Sequence, residues 1–119
     1  MIELDESEFR RRVLERGEPA IVEYHAAWCP YGALVGPKLR RIERLRGGRW
    51  LVGRVDVVVW EGLARAMGID RVPALAIYRG GRQRAAWFGD PPVRAVLHAI
   101  AAQEQEQMAP GTEPAEILP

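Results

Sequence analysis

The sequence predicts an α/β fold, a central mixed β-sheet flanked by helices, and three observations carry that expectation. Helix-period and strand-period segments follow one another in the order α-β-α-β-α-β-β-α. The last two strands flank Arg79-Gly80-Gly81-Arg82, a tight hairpin signal. Cys29-Pro30 separates the first strand from a long helical pattern. With 119 residues, 48% of them hydrophobic, the chain can build one core and not two comfortable ones.

The elements follow in order. Asp5 is the expected N-cap of the first helix, with Glu8 three residues on as a capping box requires. Leu4 and Phe9 take the two positions of a hydrophobic staple. Phe9, Val13 and Leu14 form the apolar stripe, and Gly17 ends it. Pro19 leads into a strand over Ala20 to His25. The next helix starts just after Cys29, with Pro30 suited to its first turn, where a missing N–H costs nothing. Leu34, Val35, Leu39, Ile42 and Leu45 lie on one side of it. Pro37 falls inside and is expected to kink it, and Gly47-Gly48 terminates it. Trp50 to Val55 reads as the second central strand, which is expected to continue towards Val59. A short helix over Glu61 to Met67 is closed by Gly68. The hairpin strands are Ala74 to Tyr78 and Arg84 to Phe88. Pro91-Pro92 opens the last helix, with Val93, Val96, Leu97 and Ile100 on its apolar face. From Gln103 the apolar period stops, so residues 1–102 are expected to form the domain and 103–119 a disordered tail.

Composition narrows the function. A formal net charge of +1 argues against a polyanion-binding protein, so no nucleic-acid partner is expected. The clusters Arg10-Arg11-Arg12 and Arg40-Arg41 fall in amphipathic patterns and read as solvated helix faces. No apolar run approaches the roughly 18 residues of a membrane span. The acidic stretch Met1 to Glu8 lacks the basic start and apolar middle of a secretory signal, which makes the cytoplasm the expected location. One cysteine excludes an internal disulfide, and with two distant histidines it cannot supply the usual four ligands of a zinc site.

The chemistry centres on Trp28-Cys29-Pro30-Tyr31-Gly32, between a strand and a helix. A cysteine at a helix N-terminus faces unpaired backbone N–H groups and the positive end of the dipole, and both favour the reactive thiolate. The competing reading is a buried, inert cysteine. Val57-Val58-Val59-Trp60 is assigned to the core, against the alternative of an exposed patch for a partner.

Glu23, Trp28-Cys29, Pro37, Gly68-Ile69, Val72-Pro73, Gly81 and Gly89 together resemble the thioredoxin family. That family shows an acid on the central strand, Trp-Cys-x-x-Cys, a helix with a proline kink, Gly-Ile, a cis-proline after Ile or Val, a hairpin, and a glycine before the last helix. The resemblance runs from about Ile2 to Ala102 and implies a thioredoxin-like fold. It implies that Glu23 is the buried acid beneath the redox site, raised in pKa and able to move protons. Arg54 stands where the family often places a lysine near that acid and is expected to hold Glu23 ionised. Val72-Pro73 is expected to be cis and to lie against Cys29 in a groove that pairs with extended peptides.

The departures matter as much. Gly32 replaces the second cysteine, so the family's internal dithiol cycle cannot run within this chain. Cys29-Pro30-Tyr31 resembles the glutaredoxin motif, whose monothiol cycle uses glutathione. His25 stands where thioredoxins usually have Trp. Two readings stay open for it: stabilising the Cys29 thiolate, or capping the strand end. The expectation is a monothiol thiol–disulfide oxidoreductase. Its partners would be protein or small-molecule thiols and disulfides, with glutathione or another external thiol as the resolving reagent and no bound cofactor. The alternative is a degenerate thioredoxin-fold module that binds partners or senses oxidation through Cys29.

Overall fold

A computed structural model of the chain describes residues 1–29, 32–46 and 48–108. Five strands form one sheet: β1 (Ile2–Glu3), β2 (Ala20–His25), β3 (Leu51–Asp56), β4 (Ala74–Arg79) and β5 (Arg82–Phe88). The spatial order is β1-β3-β2-β4-β5. β3 runs parallel to both β1 and β2, while β4 is antiparallel to β2 and β5 antiparallel to β4. The mixed sheet flanked by helices is the architecture expected from the sequence. β2 lies at its centre and is buried along all but its last residue.

Two cores lie on the two faces of the sheet, as the alternation of side chains along a strand dictates. Val22 and Tyr24 of β2 join Phe9, Val13, Leu63 and Tyr78 on one face. Ile21 joins Val35, Leu39, Ile42, Leu75, Ile77 and Ile100 on the other, which packs against α2 (Gly32–Arg46) and α4 (Val93–Met108). Glu23 shares the parity of Ile21 and so points to the α2–α4 side.

The first helix begins as expected. The Glu8 N–H donates to Asp5 Oδ1 at 2.7 Å. After one α turn, α1 (Glu6–Glu8), the chain widens into a π-wound stretch, Phe9–Glu15, in which the Arg16 N–H reaches the Arg11 carbonyl at 2.9 Å. Phe9 and Val13 remain fully buried. Gly17 then turns the chain with φ +69°. Pro37 lies inside α2, and α2 ends at Arg46. α3 (Glu61–Ala66) is followed by Gly68 with φ +79°.

Four expectations need correction. The sequence reading contains no β1, yet Ile2 and Glu3 pair with Gly53 and Arg54. A Cβ at Gly53 would come within 2.5 Å of Leu4 Cδ1, so the glycine admits the fully buried Leu4 side chain. The second strand stops at Asp56, whose Oδ1 accepts the Val58 and Val59 N–H groups at 2.9 and 3.2 Å and folds the run into a turn. Val57 and Trp60 pack against the core, but Val58 and Val59 are each 61% exposed. Leu45, assigned to the apolar face of α2, is also exposed.

The fourth correction concerns the C-terminus. α4 does not stop near Ala102 but continues to Met108. Gln and Glu are good helix formers, and the anchors of this extension are polar, so no apolar period announces it. Trp50 Nε1 donates to Glu104 Oε2 at 2.8 Å. Arg46 and Arg49 approach Glu104 at 3.8 and 3.7 Å, and the Arg79 guanidinium donates to the Gln103 carbonyl. Residues 109–119 of the expected tail lie outside the described residues.

Candidate functional site

β2 delivers the chain to the site. Beyond His25 it turns through Ala26-Ala27-Trp28, and the Cys29 N–H donates to the Ala26 carbonyl at 3.0 Å. That turn leaves Cys29 partly buried, three residues before the first residue of α2, Gly32. Trp28 is 70% exposed, an unusual placement for an indole. Pro30 and Tyr31, the remaining motif residues, lie outside the described residues.

The Val72–Pro73 peptide bond is cis, as the family resemblance implied. The Gly89 N–H donates to the Pro73 carbonyl at 2.8 Å and ties this turn to the end of β5. Two grooves of about 370 Å³ each meet at the turn. Trp28, Val57, Ile69, Arg71 and Val72 are among the residues lining the first. Arg71, Val72, Pro73, Phe88, Gly89 and Asp90 line the second. Trp28 and Val72, far apart in sequence, thus share one groove, and Pro73 lies beside it in the next. Arg71 belongs to both. Its guanidinium stacks 4.7 Å from the Phe88 ring centre and holds Asp70 at 3.1 Å.

Behind this surface, Glu23 is fully buried at the middle of the sheet. Arg54 Nε donates to Glu23 Oε1 at 3.1 Å, which makes the contact expected of Arg54. Glu23 Oε2 has no partner among the described residues. Burial pushes the Glu23 carboxyl above the ordinary glutamate value, and Arg54 offsets that only in part. The arginine therefore does not hold Glu23 as firmly ionised as its charge alone suggests. His25 Nε2 lies 3.4 Å from Glu3 Oε2.

Sequence reasoning missed Glu3 and Arg71. No periodicity marks Glu3, because its importance comes from the β1–β3 register, which places it opposite Arg54. The signal for Arg71 was its place two residues before Pro73.

The sheet order, the cysteine on the strand-to-helix turn, the cis-proline turn and the buried acid define a thioredoxin-fold domain. The Thioredoxin family model matches residues 1–102, and the chain belongs to the thioredoxin family. Thioredoxin C-2 of Corynebacterium nephridii is 27% identical over 103 residues, covering 87% of this chain and 94% of that protein. A probable thioredoxin-2 of Caenorhabditis elegans is 29% identical over 82 residues, covering 69% of this chain and 57% of the relative. The mitochondrial thioredoxin of Bos taurus is 27% identical over 77 residues, covering 65% and 46%. The chain thus spans about half the length of the nematode and bovine relatives. A mutant thioredoxin from Halobacterium salinarum NRC-1 superposes with a TM-score of 0.69 at 20% identity, over 81% of this chain and 82% of that one. At that identity the likeness speaks for the fold alone. Among the described residues no helix is long and apolar enough to cross a membrane.

Proposed function

We propose that the protein is a thiol–disulfide oxidoreductase that works through Cys29 alone and relies on an external thiol to complete its cycle. The observation that carries this reading is the placement of the chain's single cysteine on the β2–α2 turn, next to exposed Trp28, whose groove also contains Val72. Membership in the thioredoxin family supports disulfides of proteins as the substrate class. Glutathione or a similar small thiol suits the resolving role.

The Cys29 thiolate attacks one sulfur of a substrate disulfide, forming a mixed disulfide and releasing the other sulfur as a thiolate. An external thiolate then attacks the Cys29 sulfur and releases the second substrate sulfur. A second external thiolate displaces Cys29, leaving it reduced and the two external thiols joined as a disulfide. One substrate disulfide is reduced, and two external thiols supply the electrons. Trp28, Val72 and Pro73 form the surface on which an extended substrate rests. Glu23 is the buried group suited to exchanging a proton during the cycle.

With a disulfide-linked model peptide, wild type is expected to accumulate a mixed disulfide on Cys29 and to turn over only when glutathione is supplied. Cys29→Ser should lose both signals. Gly32→Cys should restore dithiol turnover, since it places a second thiol on the first helical turn. A wild-type thiol that forms no mixed disulfide and resists alkylation at neutral pH would refute the oxidoreductase reading.

A further inference from the structure

The parallel register aligns Glu3 with Arg54 and Arg54 with Glu23, so three charged residues form one row across β1, β3 and β2. Their side chains are joined through the guanidinium. Arg54 Nε donates to Glu23 Oε1 at 3.1 Å and Arg54 Nη1 to Glu3 Oε1 at 3.3 Å. His25, two residues beyond Glu23 on the same face of β2, meets the other oxygen of Glu3 at 3.4 Å. From β4 the residue in register with Glu23 is Leu75, which has no charge to offer. Among the described residues, the charged groups that act on Glu23 are Arg54, His25 and Glu3. The arrangement divides one cation between a buried acid and an exposed one, whose side chain is 60% accessible. Glu23 Oε2 is meanwhile buried, with no partner among the described residues.

We propose that Glu3 is a positioning residue for the buried acid: by claiming half of Arg54, it keeps the guanidinium from neutralising Glu23 alone and leaves that carboxyl free to exchange a proton. The role in the thiol cycle rests on the oxidoreductase reading; the bridge itself does not. Two carboxylates competing for one guanidinium is a coupled system, in which the charge state of each acid is felt by the other. Burial compounds the effect, because the Coulombic influence of a neighbouring charge is screened less inside the protein than at its surface.

The test is a carboxyl-carbon NMR titration of Glu23 in the full chain. Glu3→Gln keeps an oxygen that can accept from Arg54 and removes only the negative charge. It should lower the Glu23 midpoint by about half to one pH unit. Arg54→Gln should move it the opposite way. In wild type, the Glu23 signal should also carry a minor inflection that coincides with the titration of Glu3, a readout that needs no variant. A Glu23 midpoint unmoved by Glu3→Gln, or no inflection shared with Glu3, would overturn the proposal. Alkylation of Cys29, followed in the same samples, keeps the two readings apart. An inert thiol sinks the redox function, whereas the Glu23 titration alone decides the bridge.

Discussion

Glu104 provides a direct test of how the C-terminal helix is held. Its carboxylate accepts the indole N–H of Trp50 at 2.8 Å, and Trp50 is only 5% exposed. Arg46 and Arg49 lie near the same carboxylate at 3.8 and 3.7 Å. Glu104→Ala removes a hydrogen bond to a charged acceptor and leaves a largely buried donor unpaired, a loss of about 2 kcal/mol. The arginine contacts add little, being long and partly solvated. For a domain of this size about 2 kcal/mol corresponds to a fall in Tm of roughly 10 °C. Glu104→Gln retains an acceptor and should lose less than half as much. Deleting 103–119 should cost at least as much as Glu104→Ala, whereas deleting 109–119 spares every contact named here and should leave Tm nearly unchanged. Thermal unfolding followed by circular dichroism reads all four. If Glu104→Ala melts within about 2 °C of wild type, the indole bond contributes nothing and the extension is a passive overhang.

Further outcomes follow from other buried groups. The hydroxyls of Tyr24 and Tyr78 meet at 2.5 Å, and Tyr78 also donates to Gln83 Oε1 at 3.0 Å. Tyr78→Phe strands the Tyr24 hydroxyl and should cost about 1–3 kcal/mol in urea unfolding, more than Tyr24→Phe, which leaves Tyr78 its second partner; the reverse ranking would contradict the network. Glu23 binds its proton more tightly folded than unfolded, so its ionisation erodes stability as pH rises from the ordinary glutamate value through its folded value. Denaturation profiles of wild type and Glu23→Gln should therefore diverge over that interval, with wild type losing ground, and parallel profiles would refute the assignment. Gly53→Ala forces a methyl to within 2.5 Å of the Leu4 side chain and should cost about 1–3 kcal/mol through overpacking, measured by the same denaturation. An unchanged midpoint there would mean that Leu4 has room to move.

The parts of the fold that could be read from the sequence are those whose signal is local. β2 spans Ala20–His25, the span its apolar run and the preceding Pro19 indicate. Asp5 caps the first helix because a cap is settled within four residues. The cysteine turn was legible because it depends on residues next to one another in the chain, whereas the cis isomer of Val72–Pro73 was implied only by the family resemblance. What escaped depends on distant partners. β1 is two residues long, too short for any period, and exists because Gly53 on another strand leaves space for Leu4. The extension of α4 is anchored by polar groups that a search for apolar spacing passes over. Val58 and Val59 read as interior by composition, yet Asp56 turns them outward. Around the site, Glu23 and Arg54 could be paired by resemblance, but the third member of their row could not, because strand register is not written in any one segment.

The tip of the β4–β5 hairpin is ordinarily where a chain accepts extra residues, since such turns face water. Here the Gly80 N–H donates to the Gly17 carbonyl at 3.1 Å. A Cβ at Gly81 would lie 2.6 Å from the carbonyl oxygen of Leu14. The tip is pressed against the end of the first helix and works as a clasp between the opening and closing halves of the chain. Inserted peptides, epitope grafts or new termini placed between Gly80 and Gly81 would prise that clasp apart. The exposed turn at Val58 and Val59 offers a better place to enlarge the protein, and lineages that lengthen this domain should do so there.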